Sequence, residues 1–204
     1  MRDAVPEGAG AKVNATDNEL MAEVRDGDVD KLATLFERNH KRLFNFFLRT
    51  TGSRPASEDL VQEVFMRILK YRHTFRAGSE FAPWMYQMAR NASADRFERK
   101  AREPIAPWAD GELAERPAAG PSAADELVRA ETAERVRAAL LRLPAEKREV
   151  LVLSRYELLR YEEIAGMLGC SVGAVKLRVH RALKDLRRLL GPEAAPAAEL
   201  GGLP

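Results

Sequence analysis

Six permanent cations fall on one short stretch near the end of the chain, GCSVGAVKLRVHRALKDLRRLL (residues 169–190). Lys176, Arg178, Arg181, Lys184, Arg187 and Arg188 supply them, with His180 in their midst and Asp185 as the lone acid. Ammonium and guanidinium groups in such a row serve either to bind a polyanion or simply to keep a helix face soluble. At about 100° per residue around a helix, Val172, Val175, Val179, Leu183, Leu186 and Leu190 share one arc and the cations take most of the rest. Leu177 is stranded on the polar arc, where it is placed to meet a thymine methyl. A merely solvated face has no reason to hold it.

A second stretch, EFAPWMYQMARNASADRFERKAR (80–102), joins aromatic and amide groups to a basic end. Trp84, Met88, Asn91 and Asp95 fall along one helical face, and Arg96, Arg99, Lys100 and Arg102 cluster beyond them. Bases stack on or are pocketed by such aromatic groups while cations follow the backbone, which suits single-stranded or melted nucleic acid. Trp84 fits a core role at least as well, and Tyr86 and Asn91 are open to either. Catalysis finds no comparable constellation. His40, His73 and His180 are scattered, no glycine-rich phosphate loop occurs, and Glu162-Glu163 has neither a base nor a metal partner in the pattern. The expectation is no enzyme, no metal and no cofactor.

The elements that must position these groups are helical throughout. The segment before the basic stretch, YEEIAGML, offers Ile164 and Leu168 for burial and a small Ala165 where two helices approach closely. Gly169 then turns the chain and Ser171 caps the next helix, so the offsets are those of a helix-turn-helix. In that geometry the first turns of the second helix enter the major groove, with Arg178 and Arg181 in reach of guanine edges or phosphates. Earlier, Leu20 and Val24, then Leu32, Leu35 and Phe36, then Leu43, Phe44 and Phe47 recur at helical spacing. SRPASEDLVQEVFMRILKY is expected to start a helix on Ser57 as N-cap, and another begins near Pro83. No stretch reads as a strand.

Glycine and proline divide the chain. Residues 1–15 and 191–204 read as tails, 16–102 and 132–190 as folded units, and 103–131 as a proline-rich linker. Over 101–131 there are three arginines against seven acids, a net charge of minus four, although the whole chain carries +2. Charge is therefore segregated, and any nucleic-acid signal is local. The single cysteine, Cys170, excludes an intramolecular disulfide. No run approaches the roughly 18 apolar residues of a membrane span and the start lacks a signal-peptide core, so the expected setting is cytoplasmic without membrane insertion.

In their order, DNELMAEVRDGDVDKLATLFERNHKRLFNFFLR, EDLVQEVFMRIL, FAPWMYQMARNASADRFERK, a proline-rich linker and the helix-turn-helix segment closely resemble bacterial sigma factors of the extracytoplasmic-function group, over roughly residues 17–190. The resemblance implies an all-α protein of two small helical domains on a flexible acidic linker, the C-terminal one a helix-turn-helix. It implies binding to core RNA polymerase at the beta-prime clamp and beta flap, recognition of promoter DNA, and control by an anti-sigma factor that wedges between or clamps the domains. By position, Asp59, Gln62, Glu63 and Phe65 fall on the polymerase-docking helix. Trp84, Tyr86, Asn91, Asp95, Arg96 and Arg99 fall on the segment that reads and melts the minus-ten element. Ser171, Lys176, Leu177, Arg178, His180 and Arg181 fall on the minus-thirty-five helix. Two rivals stay open on residues alone. A dimeric helix-turn-helix repressor leaves residues 17–100 without a role and lacks an evident dimerisation helix, while a helical adaptor requires failure to bind any promoter.

Overall fold

The computed structural model describes residues 15–102 and 123–191, the side chains of 100–102 and 123–130 apart. Among these residues there is no strand, and the all-helical expectation holds. The first unit contains α1 (Asp17–Asp26), α2 (Lys31–Thr51), α3 (Arg54–Tyr71), a 3₁₀ turn (Arg72–Thr74) and α4 (Phe81–Arg102). The second contains α5 (Ala123–Leu141), α6 (Ala145–Arg155), α7 (Tyr161–Leu168) and α8 (Val172–Leu190). Both tails and residues 103–122 of the expected acidic linker lie outside the described residues. Residues 123–131, expected to belong to that linker, form the first half of α5.

Local chemistry sets the boundaries in the first unit. Thr16 and Glu19 form a reciprocal capping box, the Thr16 hydroxyl accepting from the Glu19 N–H (3.3 Å) and the Glu19 carboxylate from the Thr16 N–H (2.7 Å). The cap of α3 is Ser53, not Ser57. Ser53 is extended (φ −114°, ψ 120°), its hydroxyl accepts from the Ala56 N–H, and Pro55 follows in the first turn. Ser57 is buried inside the helix and its hydroxyl donates to the Ser53 carbonyl (2.6 Å). The start of α4 is held by a distant residue: the Asn18 side chain accepts from the Phe81 N–H (2.7 Å) and donates to Glu80 (2.9 Å). That contact fixes α4 against α1, and Leu20, Met21, Leu35, Phe46, Val64, Ile68 and Met85 fill the core among the four helices.

In the second unit Leu140, Leu143, Val150, Leu153, Ile164, Val179 and Leu186 form the core. Lys147 on α6 reaches Asp185 on α8 (2.5 Å), so the lone acid of the basic helix serves as a strut between helices. The carboxylate of Glu163 accepts from the Arg160 N–H (2.6 Å) and its guanidinium (2.8 Å), starting α7. The two units touch: α2 lies against α5 and α6, and α4 against α7.

Candidate nucleic-acid and polymerase interfaces

The turn between α7 and α8 follows the expected chemistry. Gly169 sits in the left-handed region (φ 60°), where other residues are strained, and the Ser171 hydroxyl accepts from the Ala174 N–H at 3.2 Å. Ile164 and Ala165 are buried as expected, while Leu168 is half-buried. Val175, Val179, Ala182 and Leu186 are buried on one side of α8. Lys176, Leu177, Arg178, His180 and Arg181 are all exposed on the other, with Leu177 at 47%. Among the described residues no carboxylate pairs with Lys176, Arg178 or Arg181, because the one acid of the helix is engaged by Lys147 and Arg188. The start of α8 thus presents free cations beside an exposed leucine, and its N-terminal dipole adds positive potential there.

On the first unit, α3 and α4 bring two sets of expected residues together. Arg67 donates to both Glu63 (2.7 Å) and Asp95 (2.8 Å), and Arg96 donates to Asp59 at 3.3 Å. Burial opposes the charge on Arg67, yet the two carboxylates outweigh it and hold its pKa above the ordinary arginine value. Asp59 and Gln62 are exposed and Glu63 half-buried, so this polar edge is continuous from α3 to α4. Sequence reasoning missed Arg67; its signal was the four-residue spacing from Glu63. Beside this edge is a cleft of ≈ 480 Å³, lined by Tyr71, Trp84, Gln87, Met88, Asn91 and Asp95 together with Arg67 and Thr74. Trp84 is half-buried and edge-on to Phe75 (5.3 Å), so it is both core and cleft wall. Gln87 donates to Asn91 one turn further along α4 (3.2 Å), and Arg99 is exposed with its Nε donating to the Asp95 carbonyl (3.3 Å). The side chains of Lys100 and Arg102 lie outside the described residues.

Two expected residues do not reach these surfaces. Phe65 is buried and meets Phe36 edge-to-face at 4.9 Å, because its position on α3 points at α2 rather than outward. Tyr86 is fully buried against Phe46, and its hydroxyl donates to the carboxylate of Glu157 on the second unit. Burial, reinforced by that carboxylate, pushes the Tyr86 hydroxyl far above the usual phenol range. Burial likewise raises Glu157, against the opposing pull of Tyr86, Arg42 and Arg49.

A cation-bearing helix-turn-helix joined to a helical unit with an aromatic cleft defines a helical protein of two parts with a face suited to nucleic acid. Residues 35–103 match the family described as Sigma-70 region 2, and residues 133–186 match Sigma-70, region 4. The RNA polymerase sigma factor CarQ of Myxococcus xanthus is 34% identical over 84% of this chain and 95% of its own length. The extracytoplasmic-function RNA polymerase sigma factor SigM of Mycobacterium tuberculosis is 31% identical over 90% of this chain and 89% of its own. Among solved structures, CnrH in complex with the cytosolic domain of CnrY is similar, with 27% identity, a TM-score of 0.61, and coverage of 85% of this chain and 96% of that one. The chain belongs to the extracytoplasmic-function group of sigma-70-type RNA polymerase sigma factors. Its activity is that of a transcription initiation factor, which joins core RNA polymerase and directs it to specific promoters.

Proposed function

We propose that residues 16–102 form the unit that docks on polymerase and reads and opens the minus-ten element, and that 132–190 form the unit that reads minus-thirty-five. The observation that carries this division is the exposed start of α8, where Lys176, Arg178 and Arg181, with Leu177 beside them, stand free of carboxylates among the described residues above a buried valine stripe. Arg178 and Arg181 read guanine edges or phosphates, Lys176 and His180 approach the backbone, and Leu177 meets a thymine methyl. Ser171 acts mainly through its cap, which aims the helix. On the first unit, Asp59, Gln62 and Glu63 meet the polymerase clamp, while Arg96 and Arg99 follow the backbone of the opened strand. The Trp84–Asn91 cleft takes an unstacked base, with Trp84 and Met88 as walls and Asn91 and Gln87 as hydrogen-bonding groups.

The chain supplies binding and not bond chemistry, and it works in the bacterial cytoplasm where polymerase and chromosome are. No helix among the described residues is long and apolar enough to cross a membrane. Regulation by an anti-sigma factor completes the reading. The CnrH structure, solved with part of another protein bound, supports a protein partner over a small molecule.

The test is transcription in vitro with purified core polymerase and genomic DNA, with start sites mapped against a control lacking the chain. New starts that share a bipartite upstream motif are expected. No new starts, with sequence-specific binding of DNA by the chain alone, would instead favour a conventional repressor.

A further inference from the structure

Between Glu63 and Glu80 the chain holds no acid, and within that stretch Arg67, Lys70, Arg72 and Arg76 supply four permanent cations, with His73 among them. Arg67 is gripped by Glu63 and Asp95. The other three meet no carboxylate among the described residues. They sit at the end of α3 and on the turn that follows it, Lys70 and Arg76 exposed and Arg72 half-buried. Charge alone would suit a merely solvated turn, and what the turn borders decides otherwise.

The turn forms one bank of the cleft: Tyr71 and Thr74 line it from this side, and Trp84, Gln87, Met88 and Asn91 line it from α4. Its two aromatic walls differ in freedom. Trp84 is half-buried and packs on Phe75 (5.3 Å) and Phe81 (6.4 Å). Tyr71 is 41% exposed and meets no other ring among the described residues; the Lys70 ammonium stands over it, 5.2 Å from the ring centre. A ring left so open beside a cleft, with a cation at its face, is the combination on which an unpaired nucleobase stacks. The turn that carries it is fixed by its own bonds. The Thr74 hydroxyl donates to the Tyr71 carbonyl (2.8 Å), the Arg72 guanidinium to the Leu69 carbonyl (2.8 Å) and the Phe75 N–H to the Arg72 carbonyl (3.1 Å), while the Phe75 ring is buried. The platform is thus ordered before a ligand arrives, which limits the entropy lost on binding.

We infer that Tyr71 is the stacking platform of this cleft, and that Lys70, Arg72 and Arg76 carry the phosphates of the opened DNA strand into it. The inference rests on the proposed reading of the cleft as a site for an unstacked base, to which it adds a platform and a path. Phosphates arriving at Arg96 must displace Asp59, whereas at the turn they displace only counterions and water. Along α4 the cleft extends from Trp84 to Asp95, roughly 16 Å at the helical rise, with the free cations of the turn toward one end and Arg99 beyond the other. The strand enters over the turn after α3, crosses Tyr71 and leaves past Arg99. Every base has a π-face, so Tyr71 contributes affinity for the opened state whatever the base, and selection among bases falls to Gln87 and Asn91.

The experiment uses the full chain bound to core polymerase and two DNAs built on a promoter mapped with it. One is a fork whose minus-ten segment is single-stranded; the other is a duplex that stops short of that segment. Affinity for each is measured against salt for wild type, Tyr71→Ala, Tyr71→Phe, and Lys70→Ala with Arg76→Ala, with polymerase binding measured separately and helicity checked by circular dichroism. Tyr71→Ala is expected to bind the fork about tenfold more weakly and the duplex as wild type does, with Tyr71→Phe at wild-type affinity for both. The double variant is expected to lower the slope of log affinity against log salt for the fork by about 1.4, at about 0.7 per phosphate contact on a single strand. Tyr71→Leu, which keeps apolar bulk without a π-face, is expected to match Tyr71→Ala and decides the matter should the alanine variant misfold. Tyr71→Ala that holds the fork like wild type would overturn the platform, as would Tyr71→Phe as weak as alanine. An unchanged slope would overturn the path, and so would loss of polymerase binding by the double variant, which would make the turn a protein contact. A wild type that binds fork and duplex alike would instead strike the reading of the cleft itself, a result distinct from any failure at Tyr71.

Discussion

The two surfaces assigned to DNA are built on opposite electrostatic plans. At the start of α8 the cations are free: among the described residues Lys176, Arg178 and Arg181 have no acidic partner on the face opposite the buried valines. On α3 and α4 two of the cations are already engaged, Arg67 with Glu63 and Asp95, and Arg96 with Asp59. Free cations gain the full counterion-release benefit when phosphates arrive, which suits a closed duplex read by one helix. Paired cations must exchange one anion for another, so binding there leans on aromatic and hydrogen-bonding groups in a cleft. Such a surface favours DNA whose bases have left the stack.

That contrast breaks most visibly at Trp84. Removing its ring, which packs on Phe75 and Phe81, is expected to destabilise the first unit by about 3 kcal/mol and abolish promoter opening, whereas Leu177→Ala leaves thermal stability unchanged and alters only promoter preference. Thermal denaturation beside transcription from mapped promoters separates the two, and equal stability losses would mean that Leu177 is packed rather than presented. Next in size is Arg178→Ala, expected to weaken minus-thirty-five-dependent initiation by roughly 1–3 kcal/mol with polymerase binding unchanged. Unaltered initiation would place Arg178 off the groove.

The α8 surface was legible from sequence because every cue there is local: a turn glycine, a capping serine and a stripe within one helix. The α3–α4 surface was legible only in outline. Asp59, Glu63, Asp95 and Arg96 were picked out, but their pairing across two helices depends on tertiary packing that no spacing encodes. Tyr86 and Phe65 lie elsewhere than expected for the same reason: an aromatic residue at helical spacing reads alike whether it faces DNA, polymerase or another helix. Glu157 carried no signal at all, since a lone acid in SRYELL looks like any solvated loop residue. The Ser57 cap went wrong on a competition between two serines that Pro55, in the first turn, settles in favour of Ser53.

A smaller effect tests the electrostatic contrast directly. Arg181→Ala is expected to reduce the slope of log affinity against log salt by about 1 for duplex DNA. Arg96→Ala is expected to reduce the slope for single-stranded minus-ten DNA by clearly less, because Asp59 already neutralises that guanidinium. Equal slope changes would show that the Arg96–Asp59 pair does not persist in solution.

The smallest expected effect concerns the contact between the units. The groups facing Glu157 are Arg42 and Arg49 from α2 and Tyr86 from α4, and burial raises its pKa above the ordinary 4.5 in spite of them. An acid whose pKa is raised in such a contact binds its proton more tightly there. Protonation therefore favours the contact, and the added stability is fully present near the ordinary carboxylate value and lost as pH rises through the raised one. The thermal stability contributed by this contact is thus expected to rise slightly as pH falls through that window. Glu157→Gln, which cannot titrate, is expected to lack that component. The difference between the two proteins isolates this one group from the other carboxylates, and matching pH profiles would mean that Glu157 keeps its charge in the contact, held by the two arginines rather than by a proton.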